Sequence, residues 1–312
     1  MQKTKKLTFI LLMIFTIILT VFAATEIASR MSIGKRLIVS VDPTGVYYFQ
    51  PNQEGWYTHL LRTPHARINN LGGRGEDVDI TNMNSIKKYI FLGDSFTFGW
   101  ELENTETIPY YFMNLSSKLT KDKVINYGNG GYGIHHMIAA YEMRKEIFMK
   151  DDTLIMILPE VDFYRQLVPY QQSRIRELFW RIRSKSSSIS WAWAIIRQET
   201  AEREASKKDI AKQDVFREFA PEMINFNTKV ESKNMQVIWV FYEYEYTDYS
   251  KDAKEFCRAN NLECINSIPE AIERVKNKER EVYAVDKAHP SAFSNEEVAR
   301  EIINFINQEN RN

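Results

Sequence analysis

The sequence predicts an α/β protein, a parallel sheet covered by helices on both faces, behind one apolar N-terminal segment. Three observations carry this. Short apolar runs, "YIFL", "TLIMILP" and "VIWVFY", alternate from residue 86 onward with longer stretches of helical character. These runs lack the in–out alternation of a half-exposed sheet, as strands buried on both faces do. Residues 7–24, "LTFILLMIFTIILTVFAA", contain no charge.

Residues 1–6, "MQKTKK", hold three lysines and form the cytoplasmic N-terminus in this reading. The eighteen residues that follow rise about 27 Å as a helix, close to the hydrocarbon thickness of a bilayer. Flanking lysines favour the cytoplasmic side, which puts the remainder outside it. Two readings of 7–24 stand: an uncleaved anchor in the cell membrane, or a signal sequence cut after the small residues of "VFAA", giving a secreted protein. Both export the bulk of the chain. With 41 basic and 41 acidic residues the net charge is zero, which offers no basic excess for nucleic acid.

Residues 25–85 have turn residues and aromatics without a sustained period, and are expected as an irregular segment of short strands and loops packed on the main domain, 86–312. In that domain "KKYIFLG", "KVINYG", "TLIMILP", "MQVIWVFYEY" and "LECINS" are the strands. Helices are expected over "ETIPYYFMNLSSKLT", "HHMIAAYEMRKEIFMK" and the closing "SNEEVAREIINFINQ". Ser294, with Glu297 three residues on, reads as the N-cap of that last helix. A charged, Trp-rich insertion, helical by composition over about 163–215, separates the third strand from the fourth. It fits a lid, a partner surface or a helical pair packed on the domain. Cys257 and Cys264 leave two readings open, a disulfide or two buried thiols; two sulfurs without matching histidines make no zinc site.

Three short stretches carry chemistry. In "IFLGDSFTFGW" Ser95 ends the first core strand where the chain turns into a helix, so its hydroxyl sits at the sheet's rim beside unpaired backbone N–H groups. Serine is a weak nucleophile without a base, and the same position suits a plain helix cap. The base candidate is His289 in "VDKAHPSAFS", the one histidine of five with an aspartate, Asp286, three residues before it. That spacing lets the carboxylate take the imidazole Nδ1 proton and leave Nε2 facing a hydroxyl. In "INYGNGGYG" the glycines let backbone approach a ligand closely and aim N–H groups at an oxyanion. No phosphate fingerprint is present. His135 and His136, which follow, read as ordinary partly buried imidazoles.

Together, "GDSFTFG", "NYGNGGYG" and "DKAHP" resemble, in order, the nucleophile, glycine and Asp-x-x-His blocks of the SGNH/GDSL hydrolase family. "INNLGGRGEDVD" is similar to an N-terminal segment of some members. The resemblance covers residues 86–308. It implies a three-layer α/β/α domain on a flavodoxin-like parallel sheet, acting on ester bonds without metal or cofactor. Carried over by position, Ser95 is the nucleophile, His289 the base and Asp286 its orienter. The backbone N–H groups of Ser95 and Gly131 donate to the oxyanion, with Asp94 and Asp162 in support.

One block departs from the family. An oxyanion asparagine is expected after the third strand, where "LPEVDFYR" has Val161, with Asp162 retained. Losing one such donor costs about 100- to 1,000-fold in rate, about 2.7–4 kcal/mol. Asn129 in the glycine loop is the candidate substitute. The expected function is a serine esterase or O-acyltransferase, acting on acyl esters, acetyl first, of an extracytoplasmic polysaccharide or other glycan substrate. The rival is a non-catalytic carbohydrate-binding or envelope assembly protein that keeps the fold.

Overall fold

The computed structural model describes residues 2–33, 36–57, 64–81, 86–116, 123–165 and 215–309, with Leu167, Ile182, Ser186, Ser188 and Ile189. The insertion expected over about 163–215 thus lies almost wholly outside the described residues. The first helix, α1 (Gln2–Ile33), contains a stretch, Lys6–Met31, long and apolar enough to cross a membrane. None of its apolar window is covered by the rest of the chain.

Two antiparallel hairpins follow: β1 (Val39–Val41) with β2 (Tyr47–Phe49), and β3 (Gln53–Trp56) with β4 (His65–Ile68). Leu37, Phe49, Tyr57, Ala66 and Ile68 bury a small core of their own together with Phe98 of the main domain. Past β4 the chain reaches the edge of the main sheet, where the Arg74 N–H donates to the Asn126 carbonyl at 2.8 Å.

The main sheet has five strands: β5 (Tyr89–Gly93), β6 (Val124–Asn126), β7 (Thr153–Pro159), β8 (Gln236–Tyr242) and β9 (Cys264–Ile265). All pairs are parallel, in the order β6-β5-β7-β8-β9. That is the 2-1-3-4-5 order of a flavodoxin-like doubly wound sheet. Successive side chains of a strand point to opposite faces, and here each face has its own helices. Leu154, Met156 and Leu158 join Val237, Trp239 and Phe241 under α4 (Ile134–Met143), α5 (Val215–Glu231) and α6 (Asp248–Asn260). Ile155, Ile157, Ile238 and Val240 lie under α3 (Ile108–Leu115), α7 (Ile268–Asn277) and α8 (Ala292–Glu309). All seven residues of β7 are buried, which is why that stretch reads as one unbroken apolar run.

Two local readings are resolved. Helix α8 starts at Ala292, a turn's fraction earlier than expected, because Ser291 Oγ accepts from the Ser294 N–H at 3.1 Å and so takes the capping place. Ser294 instead donates its hydroxyl to the Val282 carbonyl, and Glu297 pairs with Arg274 and Lys278. Cys257 and Cys264 form a disulfide that joins α6 to β9.

Candidate active site

Parallel α/β sheets present ligands at the carboxyl ends of their strands, and the three blocks meet there. Strand β5 stops at Gly93. Asp94 caps the short helix α2 (Ser95–Phe98), its Oδ1 accepting from the Phe96 N–H at 2.8 Å. Ser95 is therefore the first helical residue, and its own N–H is among those that a helix leaves without an internal partner. The glycine loop leaves β6 directly alongside. A Cβ on Gly128 would come within 2.3 Å of the Phe98 nitrogen, so only glycine lets this loop press against the nucleophile helix. Gly131 sits at φ +85, in the left-handed region.

The third block arrives from the loop before α8. His289 Nε2 lies 2.9 Å from Ser95 Oγ, and His289 Nδ1 lies 2.5 Å from Asp286 Oδ2. Asp286 Oδ1 accepts from the backbone N–H groups of Ala288 and His289, both at 3.0 Å. Burial alone would raise this carboxyl. The hydrogen bonds from the imidazole and the two amides outweigh it and hold the group down at about 2. The Phe96 and Trp100 rings flank His289, with centroids 5.6 and 6.1 Å away.

Asp94 and Asp162 are both fully buried and share one cation. Arg165 Nη1 donates to Asp94 Oδ2 at 2.9 Å, to Asp162 Oδ1 at 2.5 Å and to the Tyr132 carbonyl at 2.8 Å. Asp94 Oδ2 also lies 3.2 Å from Ser95 Oγ. Burial and the neighbouring Asp94 charge push the Asp162 carboxyl well up, against the pull of Arg165. Its Oδ2 has no hydrogen-bond partner among the described residues. A carboxyl raised in the folded state contributes its full stability below the ordinary carboxylate range and loses it as pH rises toward the folded value. Asp162→Asn is accordingly expected to leave the protein as stable or more stable at neutral pH. The gain should vanish in acid. Urea midpoints at pH 7 and pH 4 check this, and a loss at pH 7 would contradict it.

Val161 sits 42% exposed on the turn Glu160–Tyr164 and offers no side-chain amide. Asn129, the candidate substitute, is buried, lines the neighbouring cleft and donates one of its two Nδ2 protons to the Tyr47 carbonyl at 2.9 Å. His136 accepts from the Gly133 N–H through Nδ1, and burial, with His135 and Arg165 nearby, pushes its imidazole down to about 4. His135 Nδ1 lies 2.9 Å from Glu222 Oε1, away from Ser95.

Two arginines were not singled out by sequence reasoning. Arg165 follows Asp162 by three residues, a spacing that signals an ion pair on one turn, but its contact with Asp94 spans 71 positions. Arg74, in "GGRGED", lies buried under the far end of α2. Its Nη1 donates to the carbonyls of Phe98 (2.9 Å) and Gly99 (2.7 Å) and to the Tyr57 hydroxyl (3.1 Å). Its Nη2 donates to the Leu102 carbonyl at 2.5 Å, and its Nε to Asn104 Oδ1 at 2.9 Å. The guanidinium also lies over the Tyr57 and Phe98 rings, 4.9 and 4.7 Å from their centroids.

A cleft of about 570 Å³ adjoins the site. Leu37, Val39, Val41, Phe49 and Trp100 give it an apolar wall, while Gly131 and Arg165 bring it to the glycine loop and the buried carboxylates.

Fold and site together define a doubly wound α/β protein with a serine–histidine–aspartate constellation at the carboxyl edge of its sheet. No family model and no curated protein matches the chain. Among solved structures it is similar to a member of the lipolytic protein G-D-S-L family from Veillonella parvula, at 12% identity and a TM-score of 0.41, covering 70% of this chain and 97% of that one. It is also similar to a catalytic mutant of an acetylxylan esterase from Geobacillus stearothermophilus (15% identity, TM-score 0.46, 70% and 94% covered). A third similar structure is a putative lipolytic protein of the G-D-S-L family from Desulfitobacterium hafniense (13% identity, TM-score 0.43, 70% and 99% covered).

Proposed function

We propose that the chain is a serine esterase or O-acyltransferase of the SGNH type, working through an acyl-enzyme on Ser95. The observation that carries this is the unbroken line from Ser95 Oγ through the His289 ring to Asp286. With Asp286 ionised, the imidazole keeps its proton on Nδ1 and leaves Nε2 bare to accept the serine proton. The hydroxyl has one proton and two neighbouring acceptors. Nε2 is the nearer at 2.9 Å, and Asp94 Oδ2 already accepts from Arg165.

In the reaction, Ser95 Oγ attacks the acyl carbonyl while His289 takes its proton. The oxyanion meets the Ser95 and Gly131 N–H groups, the alcohol leaves with the proton from His289, and water or a sugar hydroxyl then takes the acyl group. With Val161 at the usual third donor position, the backbone pair carries the oxyanion without a side-chain amide from that position. Asp94 and Asp162 act as supports that hold Arg165 behind the nucleophile. We also take α1 as a membrane anchor with the α/β domain on the extracytoplasmic side, which directs the activity to acyl esters of the cell envelope.

The exposed Val161 also favours a second reading, a binding or assembly protein that keeps the fold without the chemistry. One experiment separates the two. A fluorophosphonate probe is expected to label the full chain at Ser95 and not the Ser95→Ala variant, and an aryl acetate to release a burst of phenol equal to the labelled fraction. Absent labelling, with glycan binding intact, would leave the binding protein standing.

A further inference from the structure

We infer that the ester this site takes is carried by an amphiphile held in the membrane surface, which enters through the cleft beside Ser95. This rests on the esterase reading and on α1 remaining as an anchor. It adds the substrate's location and chemistry. The chain's own connections carry it. Charge first reappears after the apolar run at Glu26, which pairs with Arg30 at 2.7 Å. From there to Ile33 the helix rises about 10 Å, enough to clear a headgroup layer of about 5–8 Å. Arg36, which already lines the cleft, follows three positions later, a span of at most about 10 Å. The cleft is thus held within about 20 Å of the hydrocarbon edge by summed rise and reach.

A second set of contacts holds the helix itself where charge reappears. Glu26 accepts from Ser186 Oγ at 2.7 Å and from Ser188 through its Oγ (2.6 Å) and its N–H (3.1 Å). Ile27 and Met31, 59% and 83% exposed, add apolar surface at that same level, where an interfacial helix buries such residues.

The lining matches the location. Leu37, Val39 and Val41, a few residues past the anchor, give the cleft aliphatic lining, and Arg36 and Arg165 also line it. An apolar tail lying along that wall, with its ester reaching Ser95, gains burial that a freely soluble glycan ester lacks. The attack and acyl transfer are those already described, with the amphiphile's alcohol as leaving group.

The test uses the full chain reconstituted in phosphatidylglycerol vesicles, with two esters: a water-soluble aryl acetate, and an aryl acetate whose ring carries a hexadecyl chain that holds it in the bilayer. A rigid helical spacer of about 20 residues placed between 33 and 36 lifts the cleft by about 30 Å. Turnover of the hexadecyl ester is expected to fall about tenfold or more, because its effective concentration at the site is lost, while the soluble ester stays within about twofold. Fatty acid released from the vesicle lipid would mark the lipid's own acyl ester as the substrate. Equal changes for both esters, no change for either, or a chain cut near residue 24 and recovered in the soluble fraction would overturn the inference. If neither ester turns over and the fluorophosphonate fails to label Ser95, the esterase reading itself falls and takes this one with it.

Discussion

Alanine at Ser95 is expected to lower kcat/KM for an aryl acetate by about 10⁴–10⁶, and alanine at His289 by a similar factor. The reason is a single proton. Serine attacks only as that proton leaves, and Nε2 at 2.9 Å is the one imidazole nitrogen placed to receive it. The two changes remove the same step, so the double variant should be scarcely slower than either single one, whereas independent roles would multiply. Asp286→Asn is expected to cost about 10⁴, by freeing the ring to adopt the wrong tautomer. Because the Asp286 carboxyl is held at about 2, its contribution is present above the ordinary carboxylate range and is lost only as pH falls through about 2. Steady-state rates over a pH series check all three variants. A Ser95→Ala protein within about tenfold of the parent would remove the acyl-enzyme mechanism, since such a loss is far below what a triad supplies.

The sheet was legible in the sequence because its central strands are buried on both faces, and burial writes itself as an apolar run. Residues 153–159 and 236–242 show it most plainly. The constellation was legible for a different reason. Each of its three blocks is local, and the order of strands and helices brings their ends to one edge. What stayed hidden depends on contacts between distant residues. Nothing near Arg165 in the chain announces Asp94, and nothing near Asn129 announces the Tyr47 carbonyl that takes its amide. The start of α8 was misplaced by competition among neighbours. Two serines three apart can each cap, and the choice fell to Ser291 because Ser294 is drawn to the Val282 carbonyl on another segment. The cysteine pairing, likewise, depends on how α6 turns into β9 rather than on the spacing of the two residues.

Arg74→Leu is expected to destabilise the folded domain by about 3 kcal/mol or more, since each buried polar group left unpaired costs about 1–3 kcal/mol. In the folded protein this guanidinium is 5% exposed, and its partners are carbonyls, a hydroxyl and an amide oxygen rather than a carboxylate. It finishes the nucleophile helix. The carbonyls of Phe98 and Gly99 lie where a helix runs out of internal donors, and a cation at that end also opposes the helix dipole favourably. Leucine fills much of the volume but supplies no donor, so the Phe98 carbonyl and the Asn104 amide oxygen lose the guanidinium in a dry site, while the Gly99 and Leu102 carbonyls keep only the Tyr57 hydroxyl and the Leu102 N–H. Arg74→Lys keeps the charge but brings a compact head in place of the planar fork, and is expected to recover only part of the loss. Arg67 gives the control. Its pairs with Glu76 and Asp77 are solvent-exposed, so Arg67→Leu should cost about 1 kcal/mol or less. Urea unfolding of the full chain in detergent checks the order Arg74→Leu, Arg74→Lys, Arg67→Leu. Equal midpoints for the first and last would mean that the buried guanidinium does not brace the helix that carries Ser95.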